Sequence, residues 1–349
     1  MFGLLALEGL CRVLPVMSGW ENPPVTADHP FIRNQPFNEY VFSQGWDLRG
    51  VVRGRFNSLG FSSPEPERDT KLVIIGDSFV EASMLNFDER LAPLINKKQS
   101  DLRATSLGRA GADIPDYIVT ANWVQRHLKS SFIVFVITDG DLLDSLRPKR
   151  RGYWFSREPD GSLALRRDTE SGLRNALLKS RFASYVLYNL KFGPSMIFSG
   201  SRRGEEAALQ SEPESGALEN AVERFLDEIA ALQRSGIKVV LAFDAERGAI
   251  YTGRGKLHTK EFDLLAGRAA TQGIAICDLS SAFATKYALS RQPFDFVNGE
   301  GHWNALGSSV VADAVLGTVK SLKVQGNEVS ARVPDRSWIG SADDPGKRQ

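Results

Sequence analysis

Short apolar runs alternate with helix-length segments from Lys71 to Leu322, and this alternation restricts the chain to few folds. Five runs have the length and composition of buried strands: 71–75, 103–107, 132–137, 237–243 and 274–277. Five other segments carry the features of helices: 88–98, 113–128, 217–234, 262–270 and 304–322. Strand–helix repeats of this length predict an α/β fold, a three-layer, flavodoxin-like parallel sheet with helices on both faces.

One long interval breaks this alternation. Residues 146–216 are rich in Arg, Ser, Gly and aromatic residues, and they predict a cap-like insertion beside the carboxyl edge of the sheet. In such sheets ligands bind outside the carboxyl ends of the strands. We therefore expect a main domain at 55–323 that contains this insertion. An apolar segment and linker at 1–54 precede it, and a polar tail at 324–349 follows it.

The first 17 residues are apolar except for Glu8 and Arg12. They are too few to span a bilayer alone, and they lack the basic start and cleavage site of a secretory signal. Two interpretations stay open. The segment is an amphipathic helix, packed on the body or lying on a membrane, or it is the end of an anchor that begins upstream. Residues 21–36, rich in proline and polar residues, predict an extended linker.

Composition excludes several functions. Forty-three Lys and Arg against 42 Asp and Glu give a net charge of +1, which argues against a nucleic-acid coat protein. Two cysteines rule out a disulfide scaffold and a cysteine-based zinc site. The sequence has neither a clustered metal-ligand motif nor a Walker-type phosphate loop, so we expect no metal and no cofactor.

Two local sequences point to nucleophilic chemistry. Gly76-Asp77-Ser78 closes the first predicted strand, where a helix N-terminus can stabilise negative charge near the serine. A serine nucleophile needs a base, and His302 lies in a glycine-rich loop before the last helix. Glu300 could orient the imidazole, as the acid of a catalytic triad does, and Asp295 is the alternative.

The order of these sequences resembles that of the SGNH (GDSL) hydrolases. The resemblance extends over 55–323 and rests on five stretches: NSLGF at 57–61, GDS at 76–78, SLGRAG at 106–111, GDLLD at 140–144 and GHWNALG at 301–307. The first of these resembles members associated with bacterial surface polysaccharide. The resemblance implies acyl-ester cleavage with Ser78 as nucleophile and His302 as base, and an extracytoplasmic location.

The chain departs from the family at the site that would bind the oxyanion. The resemblance places oxyanion donors at the amides of Ser78 and Gly111, and at a side chain where this chain has Gly140. That position is usually Asn, so one of three donors is missing. Loss of one donor typically costs ~10²–10³ in turnover. Ser106 replaces a common Asn, and Glu300 replaces the usual Asp.

Three functions follow from the resemblance. The first is a serine acyl- or acetylesterase acting on acylated carbohydrate. The alternatives are a polysaccharide O-acyltransferase with the same residues, and a carbohydrate-binding relative with a weakened site. The basic cluster at 147–151 could meet an anionic glycan or form a solvated loop. Membrane association through the N-terminus is a further expectation.

Overall fold

The computed structural model describes residues 2–149, 151–168, 172–192, 216–296 and 301–331. The strands are β1 (Glu39–Gln44), β2 (Arg49–Arg55), β3 (Leu72–Gly76), β4 (Thr105–Gly108), β5 (Phe132–Ile137), β6 (Gly152–Arg157), β7 (Leu163–Asp168), β8 (Lys238–Phe243) and β9 (Ala275–Asp278). The helices are α1 (Phe2–Val13), α2 (Ser78–Glu81), α3 (Leu91–Lys98), α4 (Ile114–His127), α5 (Asp141–Asp144), α6 (Gly172–Leu178), α7 (Arg181–Ser184), α8 (Ala217–Arg234), α9 (Arg247–Thr252), α10 (Lys260–Thr271), α11 (Leu279–Ser290) and α12 (Ala305–Ala331).

Five parallel strands form the central sheet in the order β4-β3-β5-β8-β9. Numbered by their position among these five, they follow the flavodoxin-like order 2-1-3-4-5. The predicted fold class is therefore confirmed. The chain reverses its direction of travel across the sheet at β3, between β4 and β5, and ligands of such sheets bind at this switch point.

Alternate strand residues pack into two separate cores. In β3, Val73 and Ile75 face one core, and Leu72 and Ile74 face the other. The first core is closed by α4, α8 and α10, and the second by α3, α11 and α12. All four of these β3 side chains are essentially inaccessible to solvent, as expected for a central strand with helices on both faces.

The last helix is longer than the sequence predicts. It continues past 322 to Ala331, and the polar tail beyond it lies outside the described residues. By length and composition, Ala305–Val324 could cross a membrane. In the fold this helix packs on the sheet, and Val311, Val315 and Val319 are fully buried in the second core.

Residues 18–56, which precede β3, pack on the core of the sheet and on one another. Most of 18–36 has no regular secondary structure, as expected for an extended segment, but Phe31 is buried in the first core. Ser18 pairs with Val41 of the antiparallel β1–β2 hairpin. Trp20 packs with Tyr40 and Phe56 of the same region in a third, small core. This region therefore packs both on the first core of the sheet and on the β1–β2 hairpin.

The insertion between β5 and α8 packs on this N-terminal region. It begins with the antiparallel β6–β7 hairpin and continues through α6, α7 and a π-helical turn, Tyr185–Asn189. The side chain of Asn189 accepts a hydrogen bond from the Met17 amide (3.1 Å) and donates one to the Ser43 carbonyl (3.0 Å). The insertion and the N-terminal region thus hold each other in place.

Candidate active site

Ser78 is the first residue of α2, directly after the carboxyl end of β3. Asp77 caps this short helix by accepting a hydrogen bond from the Phe79 amide at 2.9 Å. Gly76 permits the tight turn, because a Cβ there would lie 2.4 Å from the Val80 side chain. Gly108 at the end of β4 is equally constrained. The two glycines let α2 approach both strands and fix Ser78 at the switch point.

His302 lies within hydrogen-bonding distance of Ser78. Its Nε2 is 2.8 Å from Ser78 Oγ, although the two residues are 224 positions apart in sequence. The imidazole packs on the Phe79 ring with a centroid separation of 4.7 Å. This contact joins the first and last of the stretches that suggested nucleophilic chemistry. The distance suits proton transfer from the hydroxyl to the imidazole.

A buried ion-pair network holds the histidine loop. Arg247 pairs with Asp244 and Asp295, and it also donates to the Gly301 carbonyl. Trp303 donates from Nε1 to Asp244 at 3.0 Å. These bonds attach the residues on both sides of His302 to the loop after β8. The sequence did not single out Asp244 or Arg247, because only the folded chain brings them beside the last loop.

Of the two proposed acids, the structure describes only Asp295. Glu300 lies outside the described residues, so its role stays a prediction. Asp295 lies in the network, where Oδ1 accepts from Arg247 and Oδ2 accepts from Tyr251 at 2.6 Å. Both of its oxygens thus hold the loop, and this favours a positioning role for Asp295.

The loop that carries Gly111 is clamped from two sides. Lys149 donates to the Gly111 carbonyl at 3.2 Å, and its ammonium also pairs with Asp113 and Asp116. On the other side, Glu81 accepts a hydrogen bond from the Ala110 amide at 2.6 Å. Asp113, the residue before α4, makes no capping hydrogen bond with its side chain. Lys149 is only 15% exposed, so this member of the basic cluster is not part of a solvated loop.

Gly140, at the other predicted oxyanion position, precedes α5 with φ of +89°. The next residue, Asp141, is buried and accepts hydrogen bonds from the Thr138 amide (2.8 Å) and the Tyr117 hydroxyl (3.1 Å). A Cβ at Gly140 would meet only Asp144 Oδ2, at 3.7 Å. There is room for a side chain here, but the backbone lies in the left-handed region, which favours glycine.

Gly140→Asn is expected to raise the rate of ester hydrolysis by about tenfold. The full value of an oxyanion donor is ~10²–10³, but the left-handed backbone strains any side chain and limits its placement. Initial rates on a p-nitrophenyl ester measure the effect. Gly140→Ala is the matched control, because it introduces similar strain without a donor. Equal rates for the two variants would show that no donor was restored.

Burial raises the pKa of the carboxyl of Asp77 to about 7, and the nearby carboxylate of Asp244 adds to the shift. The folded state therefore holds a proton on Asp77 that the unfolded chain has released above its ordinary pKa near 3.8. By linkage, this carboxyl makes stability fall as the pH rises from about 4 to about 7. Burial raises the pKa values of Asp141 and Asp244 in the same direction.

Asp77→Asn should weaken this pH dependence, because Asn retains the capping oxygen and does not titrate. A rise of this size in the pKa corresponds to about 4 kcal/mol for a fully shielded carboxyl, but Asp77 keeps some solvent contact, so we expect about 1–2 kcal/mol. Urea unfolding at pH 5 and pH 8 measures the difference for wild type, Asp77→Asn and the exposed control Asp88→Asn. A pH dependence that is the same in wild type and Asp77→Asn would contradict the assignment.

Two cavities meet at Ser78 and His302. The cavity of about 510 Å³ lies on the β5 and β8 side, and its walls combine Leu142, Phe243 and Phe262 with Thr138, Asp139, Asp244, Arg247, His258 and Glu261. We call it the polar cavity because its lining is more polar than that of the second. The apolar cavity, about 240 Å³, lies on the β4 side, and its walls include Met17, Trp20, Phe42, Met84 and Tyr188. Sequence reasoning found neither set of walls, because they come from segments that are distant in the chain.

Comparison with known proteins gives similarity at the level of fold. No protein-family profile matches the chain, and no curated protein matches it. Solved structures that resemble it include a lipolytic G-D-S-L family protein from Veillonella parvula (12% identity, TM-score 0.39), an acetyl xylan esterase (13%, 0.42) and an alpha/beta hydrolase from the metagenome of Lake Arreo, Spain (17%, 0.39). Each match covers 71% of this chain, and 96%, 99% and 94% of those chains respectively. At these TM-scores and identities, the similarities carry no argument about its activity and do not assign it to a family.

Proposed function

We propose that the protein is a serine ester hydrolase of the SGNH class. The observation that carries the proposal is the 2.8 Å contact between Ser78 Oγ and His302 Nε2 at the switch point of a parallel sheet, with a cavity on each side. A serine paired with an imidazole is an activated nucleophile. This retained pair also argues against a purely carbohydrate-binding relative.

The chemistry follows from this pair. His302 takes the hydroxyl proton while Ser78 Oγ attacks the ester carbonyl, and the imidazolium then gives that proton to the leaving alcohol. The oxyanion would lie against the amides of Ser78 and Gly111. Water next attacks the acyl-enzyme while His302 takes its proton, and the imidazolium returns that proton to Ser78 Oγ as the acid leaves. A sugar hydroxyl in place of water would make the same site an O-acyltransferase.

We propose acylated carbohydrate as the substrate class. The polar cavity supports this, because Asp139, Glu246 and Glu261 line it with carboxylates that can accept hydrogen bonds from sugar hydroxyls. Asp139 and Glu246 are exposed, so they can reach a ligand that extends into solvent. The alcohol part of the ester would occupy this side of Ser78.

A panel of acyl esters and acylated glycans, with and without sugar acceptors, tests the function. We expect acid release that depends on Ser78. An acylated sugar product formed only with an acceptor would favour the transferase. Folded protein that neither cleaves nor transfers any acyl group in the panel, and that a fluorophosphonate does not label, would overturn the proposal.

We also propose an extracytoplasmic location at a membrane surface. Helix α1 supports it, since Leu5, Leu10 and Val13 are exposed at 64%, 55% and 84%. Glu8 holds this helix on α7 by accepting hydrogen bonds from the Arg181 and Phe182 amides. An exposed leucine face of this kind suits the boundary between headgroups and acyl chains. Fractionation of the native host tests the location, and recovery wholly in the cytoplasm would overturn it.

A further inference from the structure

The two cavities lie on opposite sides of the nucleophile. Ser78 follows β3, which has β4 on one side and β5 on the other. The apolar cavity has Arg109 and Ala110, which follow β4, in its wall, whereas the polar cavity has Thr138 and Asp139, which follow β5. Ser78 and His302 are the only lining residues that the two cavities share among the described part of the chain.

An ester bound at Ser78 has two parts that point away from its carbonyl carbon, the acyl chain and the alcohol. Because one cavity lies on each side of Ser78 Oγ, we expect the acyl chain to occupy one cavity and the alcohol to occupy the other. Which part binds in which cavity then depends on polarity. Transfer of a hydrocarbon chain from water into an apolar cavity is favourable, whereas transfer of a sugar is not.

The polar groups in the apolar cavity's wall have partners within the protein. Asn22 donates from Nδ2 to the Arg33 carbonyl at 2.7 Å and accepts from Arg151 at 3.2 Å. Glu81 accepts from the Ser83 hydroxyl and the Ala110 amide, both at 2.6 Å. These bonds engage the polar groups of Asn22, Glu81 and Arg151 within the protein, so we expect the apolar side chains of the wall to contribute most to binding.

We infer that the apolar cavity is the acyl-binding site and that it selects acyl chains longer than acetyl; this inference rests on the proposed function. Its largest apolar and aromatic wall residues are Met17, Trp20 and Phe42 of the N-terminal region, Met84 after α2, and Tyr188 of the insertion. The N-terminal region and the insertion are thus parts of the specificity site. They lie outside the central sheet that places Ser78.

The volume sets the expected chain length. About 240 Å³ is several times the ~30 Å³ that one water molecule occupies in the liquid. A methylene group is close to that size, so the cavity has room for a chain of about four to eight carbons. An acetyl group would leave most of it empty. Each buried methylene should raise kcat/KM by about fourfold until the cavity is full.

The test is the chain-length profile of p-nitrophenyl esters from acetate to decanoate, in which only the acyl part changes. We expect kcat/KM of the wild type to rise to an optimum between butyrate and octanoate. Met84→Trp fills the cavity and should lower the octanoate-to-acetate ratio by about tenfold or more. Met84→Ala should move the optimum to longer chains. The two Met84 variants thus have opposite expected shifts.

Leu257→Trp is the matched control, because Leu257 lines only the polar cavity. It should change the rates of all the esters by a similar factor and leave the profile unchanged. Rates of Ser78 labelling by ethyl and octyl fluorophosphonates repeat the comparison without turnover.

Three outcomes would overturn the inference. In two of them esters are still cleaved, so the proposed function stands. These are a wild type with an optimum at acetate, and a profile that Leu257→Trp alters but the Met84 variants do not. In the third, no ester is cleaved and Ser78 is not labelled by either fluorophosphonate. That result removes the proposed function, and the inference falls with it.

Discussion

Ser78→Ala is expected to abolish labelling by a fluorophosphonate and to lower kcat/KM by ~10⁴–10⁶. The hydroxyl is the atom that would bond to the acyl carbon, and alanine offers no replacement. Binding and the oxyanion amides remain, so a small residual rate above the uncatalysed reaction is expected. Intact-mass analysis after labelling and initial rates on a p-nitrophenyl ester measure the two effects.

Ser280→Ala is the matched control, because Ser280 is the other serine in contact with a histidine in the described structure. Its Oγ is 3.1 Å from His258 Nε2, but Asp278 Oδ1 is also 3.1 Å from that same nitrogen. In a triad the acid holds the opposite ring nitrogen, so this cluster is not arranged for catalysis. Labelling that survives Ser78→Ala, or is lost in Ser280→Ala, would contradict the assignment.

The central sheet was predictable because its strands carry their own signal. Phe132–Ile137 is a run of β-branched and aromatic residues, and it forms β5 with the same bounds. The 217–234 segment carries apolar residues at helical spacing and forms α8 with the same bounds. Helix α11 was missed, since its apolar residues do not fall on one helical face. Helical periodicity identifies a helix only where its apolar residues lie on one face.

The pairing of Ser78 with His302 was predictable for a different reason. Ser78 follows a parallel strand, and the carboxyl ends of such strands form the edge where ligands bind. His302 follows helix α11 rather than a strand, and it was identified by its glycine-rich loop and by the resemblance of 301–307 to a family stretch. No comparable sequence pattern predicts which residues form the walls of the two cavities. Met17 meets Asn189 across 172 residues, and nothing in either local sequence signals that contact. Specificity was therefore less predictable than chemistry.

Lys149 shows that the partner of an individual charged residue was also not predictable from the sequence. In the sequence it is one of several basic residues, equally compatible with a solvated loop and a glycan patch. In the fold its ammonium pairs with Asp113 and Asp116 and donates to the Gly111 carbonyl, and the side chain is largely shielded from solvent. A charge run gives no information about which of its members has a partner elsewhere in the chain, because burial is a property of the tertiary structure.

His302→Ala is expected to lower kcat by several orders of magnitude, ~10⁴ or more, because Ser78 then has no proton acceptor. The loop should still fold, since Arg247 and Trp303 hold it without the imidazole. Thermal unfolding checks this, and added imidazole should restore part of the rate. The matched control is His127→Ala, which should retain most of the activity because His127 lines neither cavity. A full-rate His302→Ala variant would remove the base assignment.

The two acids can be separated by their different physical roles. Glu300→Gln should lower kcat by less than His302→Ala and shift the acidic limb of the pH–rate profile, since an orienting carboxylate stabilises the imidazolium. Asp295→Asn should mainly lower stability, because it leaves Arg247, a buried side chain, with a weaker partner. We therefore expect a lower Tm for Asp295→Asn and an unchanged Tm for Glu300→Gln. If Asp295→Asn instead shifted the pH–rate profile and kept its Tm, the orienting acid would be Asp295.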